Sequence, residues 1–373
     1  MPRIVFLVVL SLHGLIHLLG FAKAFGLAQL PQLRQPISGS WGLLWLAAGV
    51  LLLATAALLI FHARSWWWVG AVAVVVSQVV IVASWSDAKF GTLANVIVLL
   101  VVIWGAAHLG PWSLTAEYER AIPLAIPLRP VDVLGEGDLR GLPEPVQRYV
   151  RSAGVVGQPR PQSFRATWTG RMRSGPDAAW MTFTADQLNT LDPPRRFFLM
   201  DAKMKGLPVD VLHAFDERGA TMRVRLLSVK TMVDAGGPVL TRSETVTFFN
   251  DLCILAPGEL VRPSIRWEAV DAHTARAHYT QGVNTISATL QFNDAAELVD
   301  FASDDRNSDP EGTAPPIRWT TPARDYGQVG PARVSQHAET LWHPPSGAWS
   351  YGEFALQTLV YNGAPQRGHA HSP

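Results

Sequence analysis

The 373-residue chain has a single cysteine, Cys253. An intramolecular disulfide is excluded, and the redox compartment cannot be read from cysteine usage. Motifs with chemistry attached are also missing. There is no Gly-rich phosphate loop, no G-x-S-x-G elbow and no C-x-x-C pair, and the C-terminal two thirds holds no H-x-x-x-H pair. These absences weigh against the common nucleotide-binding, hydrolase and redox mechanisms. The net charge is +1, with no basic patch and no polybasic run beside an apolar stretch, so there is no footprint for nucleic acid or for anionic-lipid docking next to a span. Asp, Glu, Lys and Arg are missing altogether from Ile4–Ala22, Trp41–Phe61, Trp66–Trp85 and Phe90–Ala107.

Each of these four stretches is about the ~20 residues that a helix needs to cross hydrocarbon. Nothing comparable follows them, so the chain reads as a four-span membrane anchor over residues 1–110 carrying a C-terminal domain. The first stretch is too long for a signal-peptide core and contains two histidines, which favours a retained span. Four spans put both ends on one side of the bilayer. Arg3, Arg64 and Arg120 flank one face and Lys23, Arg34 and Lys89 the other, so charge does not set the direction. Trp41, Trp66, Trp67, Trp68, Trp85 and Trp112 suit the interfacial belts.

Residues 111–141 are polar and proline-rich, and the repeated prolines at 121–130 predict an extended connector. A short helix over Pro143–Ala153 should follow, with Val146, Tyr149 and Val150 at helical spacing. Beyond Gln162 the period turns to alternation. Runs at 164–170, 180–185, 196–202, 209–215, 222–229, 265–270, 274–280, 285–292, 298–303, 332–342 and 351–361 predict one large antiparallel sheet of roughly ten strands. Leu240–Leu255 interrupts them as an amphipathic helix covering one side of that sheet. The β-rich domain is expected over 142–365, with a disordered tail at 366–373.

Polar residues inside the apolar stretches are the most localisable candidates. His13 and His17 lie four residues apart on one helix side, and counting from a shared membrane face brings Gln78 and Asn95 to similar depth, with Asp87 and Lys89 at the mouth. These groups read either as interhelical hydrogen bonds or as a proton, quinone or small-ligand site. His62 and His108 share the opposite face, the one place where an axial pair for haem could be sought. In the C-terminal part Asp251, Asp304, Asp305 and Asp325 are the candidates for general acid–base work, against the plainer reading of turns with local ion pairs. Cys253, among Leu252, Ile254 and Leu255, reads as a buried thiol.

Several phrases carry a resemblance: His13-Gly-Leu-Ile-His17-Leu-Leu-Gly20-Phe21, Asp87-Ala-Lys89-Phe-Gly91-Thr92, Leu142-Pro-Glu-Pro, Phe249-Asn250-Asp251, Ser303-Asp304-Asp305-Arg306 and Arg318-Trp319-Thr320-Thr321-Pro322. Over nearly its whole length the chain resembles a bacterial membrane-protein family of unknown function. Its β-rich part is similar to the half-barrels of periplasmic lipoprotein carriers, open curved sheets plugged by helices. That resemblance implies an extracytoplasmic domain holding a lipid or other apolar ligand, without a cofactor and without catalysis. Phe248, Phe249 and Trp319 are then the expected lining and cap of an apolar cavity, and His13, His17, Gln78 and Asn95 a second ligand-binding candidate. The alternatives are a membrane-anchored enzyme with an acidic cleft and an intramembrane histidine site.

Overall fold

In the computed structural model, which describes residues 2–124, 132–309 and 311–363, the apolar stretches become α1 (Pro2–Ala24), α2 (Gly39–Ile60), α3 (Trp66–Ala83) and α5 (Gly91–Leu109). One turn, α4 (Trp85–Ala88), links the last two. All four long helices have the length and apolar character of membrane spans. Their inner faces meet at Phe6, Leu10, Leu52, Trp66, Val74, Val98 and Val102. Outward, Val5, Leu12, Val75, Val82, Leu93 and Leu100 are more than half exposed, a surface that water would penalise and hydrocarbon accepts. Small residues set the helix spacing. A Cβ on Gly49 would lie 2.9 Å from the Gly14 carbonyl oxygen, and one on Gly20 would lie 2.1 Å from the Trp45 ring, so α1 and α2 approach as only glycine allows.

Contacts divide the chain into a unit ending at Ser113 and another beginning at Leu114. The second unit opens with α6 (Leu114–Leu124), followed by α7 (Glu144–Ser152), β1 (Ser163–Met172), β2 (Met181–Leu191), β3 (Pro194–Met204), β4 (Leu207–Asp216), β5 (Gly219–Leu226), β6 (Lys230–Gly236) and α8 (Pro238–Leu255). Then come β7 (Ile265–Ala269), β8 (Thr274–Gln281), β9 (Asn284–Phe292), β10 (Leu298–Arg306), β11 (Ile317–Thr320), β12 (Ala323–Val329), β13 (Ala332–Trp342) and β14 (Trp349–Tyr361). All fourteen strands join one antiparallel sheet in the order β6-β5-β4-β3-β2-β1-β14-β13-β11-β10-β9-β8-β7, with β12 paired to β13 beside that path. The sheet curls into a half-barrel, and α8 touches β5 and β6 on one arm and β9 and β10 on the other.

Here α8 departs from the expected amphipathic cover. Fourteen of its eighteen residues are buried, polar ones included, because the curled sheet encloses it on several sides. Its entry is sharp: Gly237 at φ +100 turns the chain, and Pro238 starts the helix where a missing N–H does no harm. The connector departs too. Residues 121–124, expected to be extended, complete α6, whose Leu114, Tyr118 and Ile122 pack on Leu188, Phe197, Leu199 and Leu212 of the sheet's other face. That apolar stripe outweighs the helix-breaking tendency of Pro123 in the last turn. Residues 125–131 of the expected connector and the expected tail at 366–373 lie outside the described residues. The expected strand 222–229 overruns a turn at Leu227–Ser228, and β6, β11 and β12 had not been anticipated.

Candidate functional site

Four of the sequence candidates meet inside the helical unit. The His13 Nε2 lies 2.9 Å from the Asn95 Oδ1 and 3.2 Å from the Ser77 Oγ; the His17 Nε2 lies 2.8 Å from the same Oγ. Asn95 donates through Nδ2 to the Gln78 Oε1 at 3.0 Å, and Gln78 donates onward to the Thr92 Oγ1 at 3.2 Å. This chain of bonds fixes the protons. The Asn95 Oδ1 can only accept, so the His13 Nε2 and the Ser77 hydroxyl both donate to it. Ser77 has then spent its proton, and His17 must donate to it through Nε2. Both imidazoles carry a proton on Nε2 in this arrangement, and a neutral His17 ring then leaves a lone pair on Nδ1.

No partner meets that lone pair: the His17 Nδ1 is buried without a hydrogen bond. Beside it the Trp45 ring, 5.1 Å away between centroids, buries an Nε1–H that is also unpartnered. Both residues line a recess of about 430 Å³ together with His13, Leu19, Ile81, Phe90, Gly91 and Ala94. The connector after α1 closes over it through Leu30, Gln32 and Leu33. Two ties hold this flap down: the Lys23 Nζ donates to the Leu33 and Gln35 carbonyls, and the Gln35 N–H donates to the Asp87 carboxylate at 2.8 Å. Asp87, expected at the mouth, is there; Lys89 lies instead over the Phe90 ring, 5.4 Å from its centroid. The sequence reading missed Ser77, Thr92 and Trp45. Ser77 directly precedes Gln78 and could have been found by the same depth count, and Gly20 was the trace of Trp45.

A second polar cluster joins α8 to the sheet. The Arg196 Nε donates to the Asp251 Oδ2 at 2.7 Å and its Nη1 to the Glu244 Oε2 at 3.3 Å; Gln187 and Asn189 also donate to that Asp251 oxygen. From the other arm, Arg306 donates to Thr247 and Tyr351 and stacks on Trp319 and Trp342. Burial alone would raise the Glu244 carboxyl, yet neighbouring His213, Arg196 and Arg306 outweigh it and hold it at about 2. Burial prevails at Asp251, whose carboxyl is pushed up against the pull of Arg196. Every carboxylate here has a guanidinium, and the arrangement fastens the helix inside the half-barrel.

The remaining candidates do not gather. Asp251 alone among the four acids joins this cluster. Asp304 is exposed and 3.9 Å from Arg318; Asp305 pairs with Arg242 at 2.6 Å; Asp325 is exposed and 2.9 Å from the His337 Nδ1. An acidic cleft is therefore not built from these four. Phe248, Phe249 and Trp319, expected to line or cap a cavity, are at most 1 % exposed and are core: Phe249 stacks on Tyr279 and packs against Phe301, and Phe301 packs against Trp319. Cys253 is buried, which raises its thiol well above the usual range. His62 contacts Arg3, and His108 stacks on Trp104.

Comparison with known proteins adds a family. A family model described as DUF6544, a family of unknown function, matches residues 132–354. The chain belongs to this family. The DUF6544 span takes in α7, α8, β1–β13 and the start of β14. Among curated proteins no sequence match is found. Solved structures similar to the β-rich part include a DUF1329 family protein from Desulfovibrio piger, 12 % identical with a TM-score of 0.36 over 58 % of this chain and 91 % of that one. A domain titled as an outer membrane lipoprotein-sorting protein from Vibrio parahaemolyticus is 12 % identical, with a TM-score of 0.34 over 55 % and 87 %. A LolA superfamily protein from Nitrosomonas europaea is 13 % identical, with a TM-score of 0.33 over 59 % and 93 %.

Proposed function

We propose that this membrane protein binds a hydroxyl-headed apolar molecule, such as an acylglycerol or a quinol, in the recess between α1, α2, α3 and α5. One observation supports the reading above the rest: His17 and Trp45, which both line the recess with rings 5.1 Å apart between centroids, bury an acceptor, the Nδ1, and a donor, the Nε1–H, without partners. A hydroxyl group both donates and accepts, so one such group would satisfy both. The recess volume falls within the roughly 300–1,000 Å³ usual for small-molecule sites. Its apolar wall suits an acyl or prenyl chain, and the flap tied by Lys23 and Asp87 is the route of entry. Binding is the role this reading assigns: the Ser77 hydroxyl that adjoins both histidines donates to the Asn95 Oδ1, so neither imidazole stands as the acceptor of its proton.

The test is to purify the full chain in mild detergent and identify retained lipids by mass spectrometry, alongside His17→Leu and Trp45→Phe. A stoichiometric hydroxyl-bearing lipid, reduced roughly ten-fold in each variant as for one lost hydrogen bond, is expected. An empty native protein, or equal retention in all three, overturns the reading. The expectation that the C-terminal domain lies outside the cytoplasm can be read in the same preparation of cells. Cys253 is buried, so a Val283→Cys variant at a 99 % exposed position offers one reactive thiol to an impermeant maleimide. Labelling in intact cells supports that side; labelling only after lysis puts the domain in the cytoplasm.

A further inference from the structure

The chain has only five lysines, Lys23, Lys89, Lys203, Lys205 and Lys230. All three that belong to the β-rich unit sit at two hairpin tips, β3–β4 and β5–β6. These strands are consecutive in the sheet, so the tips emerge at the same end, and the Leu227 N–H donates to the Pro208 carbonyl at 2.8 Å to tie one to the other. Between the lysines the tips present apolar side chains to solvent: Leu207 is 45 % exposed, Val229 59 % and Met232 51 %. No acidic residue occurs in 202–209 or 226–233, and none of the three lysines makes an ion pair among the described residues. Elsewhere in the unit arginines are routinely paired, as in Arg171–Glu353, Arg195–Glu217 and Arg223–Glu117.

The turns add a second signal. Lys205 and Gly206 take φ +51 and +84, a two-residue hairpin turn in which glycine holds the second place. Leu227 and Ser228 take φ +55 and +58, where Asn-Gly would sit without strain. A leucine held in the left-handed region at an exposed tip is a conformation that local propensity opposes, and such strain persists where the displayed side chain is used. Nothing in the fold requires leucine there, since it is 39 % exposed.

We propose that these twin tips form a docking surface for an anionic bilayer, the lysines meeting lipid phosphates and Leu207, Leu227, Val229 and Met232 entering the headgroup–acyl boundary. Unpaired cations around exposed aliphatic groups match that interface on both counts, and a folded protein surface would be expected to offer the lysines specific carboxylate positions that a two-dimensional array of phosphates does not need. The unit begins at Leu114, five residues after α5 ends, so it is tethered beside a membrane and the docking is intramolecular in its concentration dependence.

The experiment uses the full chain in nanodiscs. An environment-sensitive fluorophore is attached to Val229→Cys or Leu207→Cys, with Val283→Cys as the reference at a different hairpin tip, and brominated acyl chains serve as quenchers. With phosphatidylglycerol present, quenching at Val229 and Leu207 at least two-fold above that at Val283 is expected. Changing Lys203, Lys205 and Lys230 together to glutamate should abolish that excess. Quenching equal to the Val283 reference overturns the proposal, as does an excess that the charge reversal leaves unchanged. A tip protected only when cell extract is added points to a protein partner and equally overturns it.

Discussion

Two polar clusters buried in this chain are built on opposite principles. In the helical unit, His13, His17, Ser77, Gln78, Thr92 and Asn95 form a neutral relay that ends on an unpartnered lone pair beside a recess. Under the sheet, Arg196, Glu244, Asp251 and Arg306 form an ionic network, with opposite charges in contact and aromatic rings packed against the guanidiniums. A charged cluster in a tightly packed interior can be tolerated only when its charges are matched, which leaves little for a ligand. A neutral cluster can leave one acceptor unsatisfied at modest cost, and that acceptor is what a ligand can use. The histidine relay is thus the better candidate for binding, and the ionic network the better candidate for holding a helix.

Breaking the network should give the largest effect. Arg196→Met leaves Asp251 and Glu244 without their shared cation, and a loss of about 3–5 kcal/mol is expected for one broken partner of a buried pair. Cys253, enclosed on α8, provides the readout: its rate of thiol modification in the native full chain should rise steeply. Adding Asp251→Asn to the same chain should recover part of the loss, because a buried charge is removed with its partner. By contrast Ser77→Ala in the neutral relay should cost about 1 kcal/mol. Equal losses for Arg196→Met and Ser77→Ala would erase the distinction.

Acid should act on the network next. The Glu244 carboxyl is held at about 2 in the folded chain against an ordinary 4.5, so its contribution is fully present above pH 4.5 and is lost as pH falls towards 2. At about 1.4 kcal/mol per pH unit the displacement corresponds to about 3 kcal/mol. Asp251 works the other way: its carboxyl is raised, so the fold is relieved as pH falls through that group. Thermal unfolding of native and Glu244→Gln chains between pH 5 and pH 2.5 separates the two. The native chain should lose more stability than the variant, and parallel losses would mean that Glu244 does not carry the effect.

The bundle and the large antiparallel sheet were legible because each rests on a period: uncharged runs of about twenty residues, and apolar alternation between turn signals. Depth counting from a common membrane face also brought His13, His17, Gln78 and Asn95 together, since a helix converts residue number directly into height. What failed to show was pairing at long range. The polar stripe Glu244, Thr247, Asp251 gives α8 an amphipathic look, but the stripe faces Arg196 and Arg306 instead of water. The lysines of the two hairpin tips are 25 residues or more apart in sequence and become neighbours only through the pairing of β4 with β5. Phe248 and Phe249 carry no sign in the sequence of whether an interior is empty or full.

The smallest expected effect concerns the acids outside the network and sharpens the same contrast. Asp325 has φ +59 and an exposed carboxylate near His337 and Arg324, so its side-chain charge is screened by solvent while its backbone occupies the left-handed region. Asp325→Asn keeps a residue type tolerant of that region and should change stability by less than about 0.5 kcal/mol. Asp325→Val puts a β-branched side chain there and should cost roughly 1–2 kcal/mol. Thermal unfolding of the two variants distinguishes charge from conformation. If Asn is as damaging as Val, the carboxylate matters at Asp325 as it does at Asp251, and exposure does not separate the two acids.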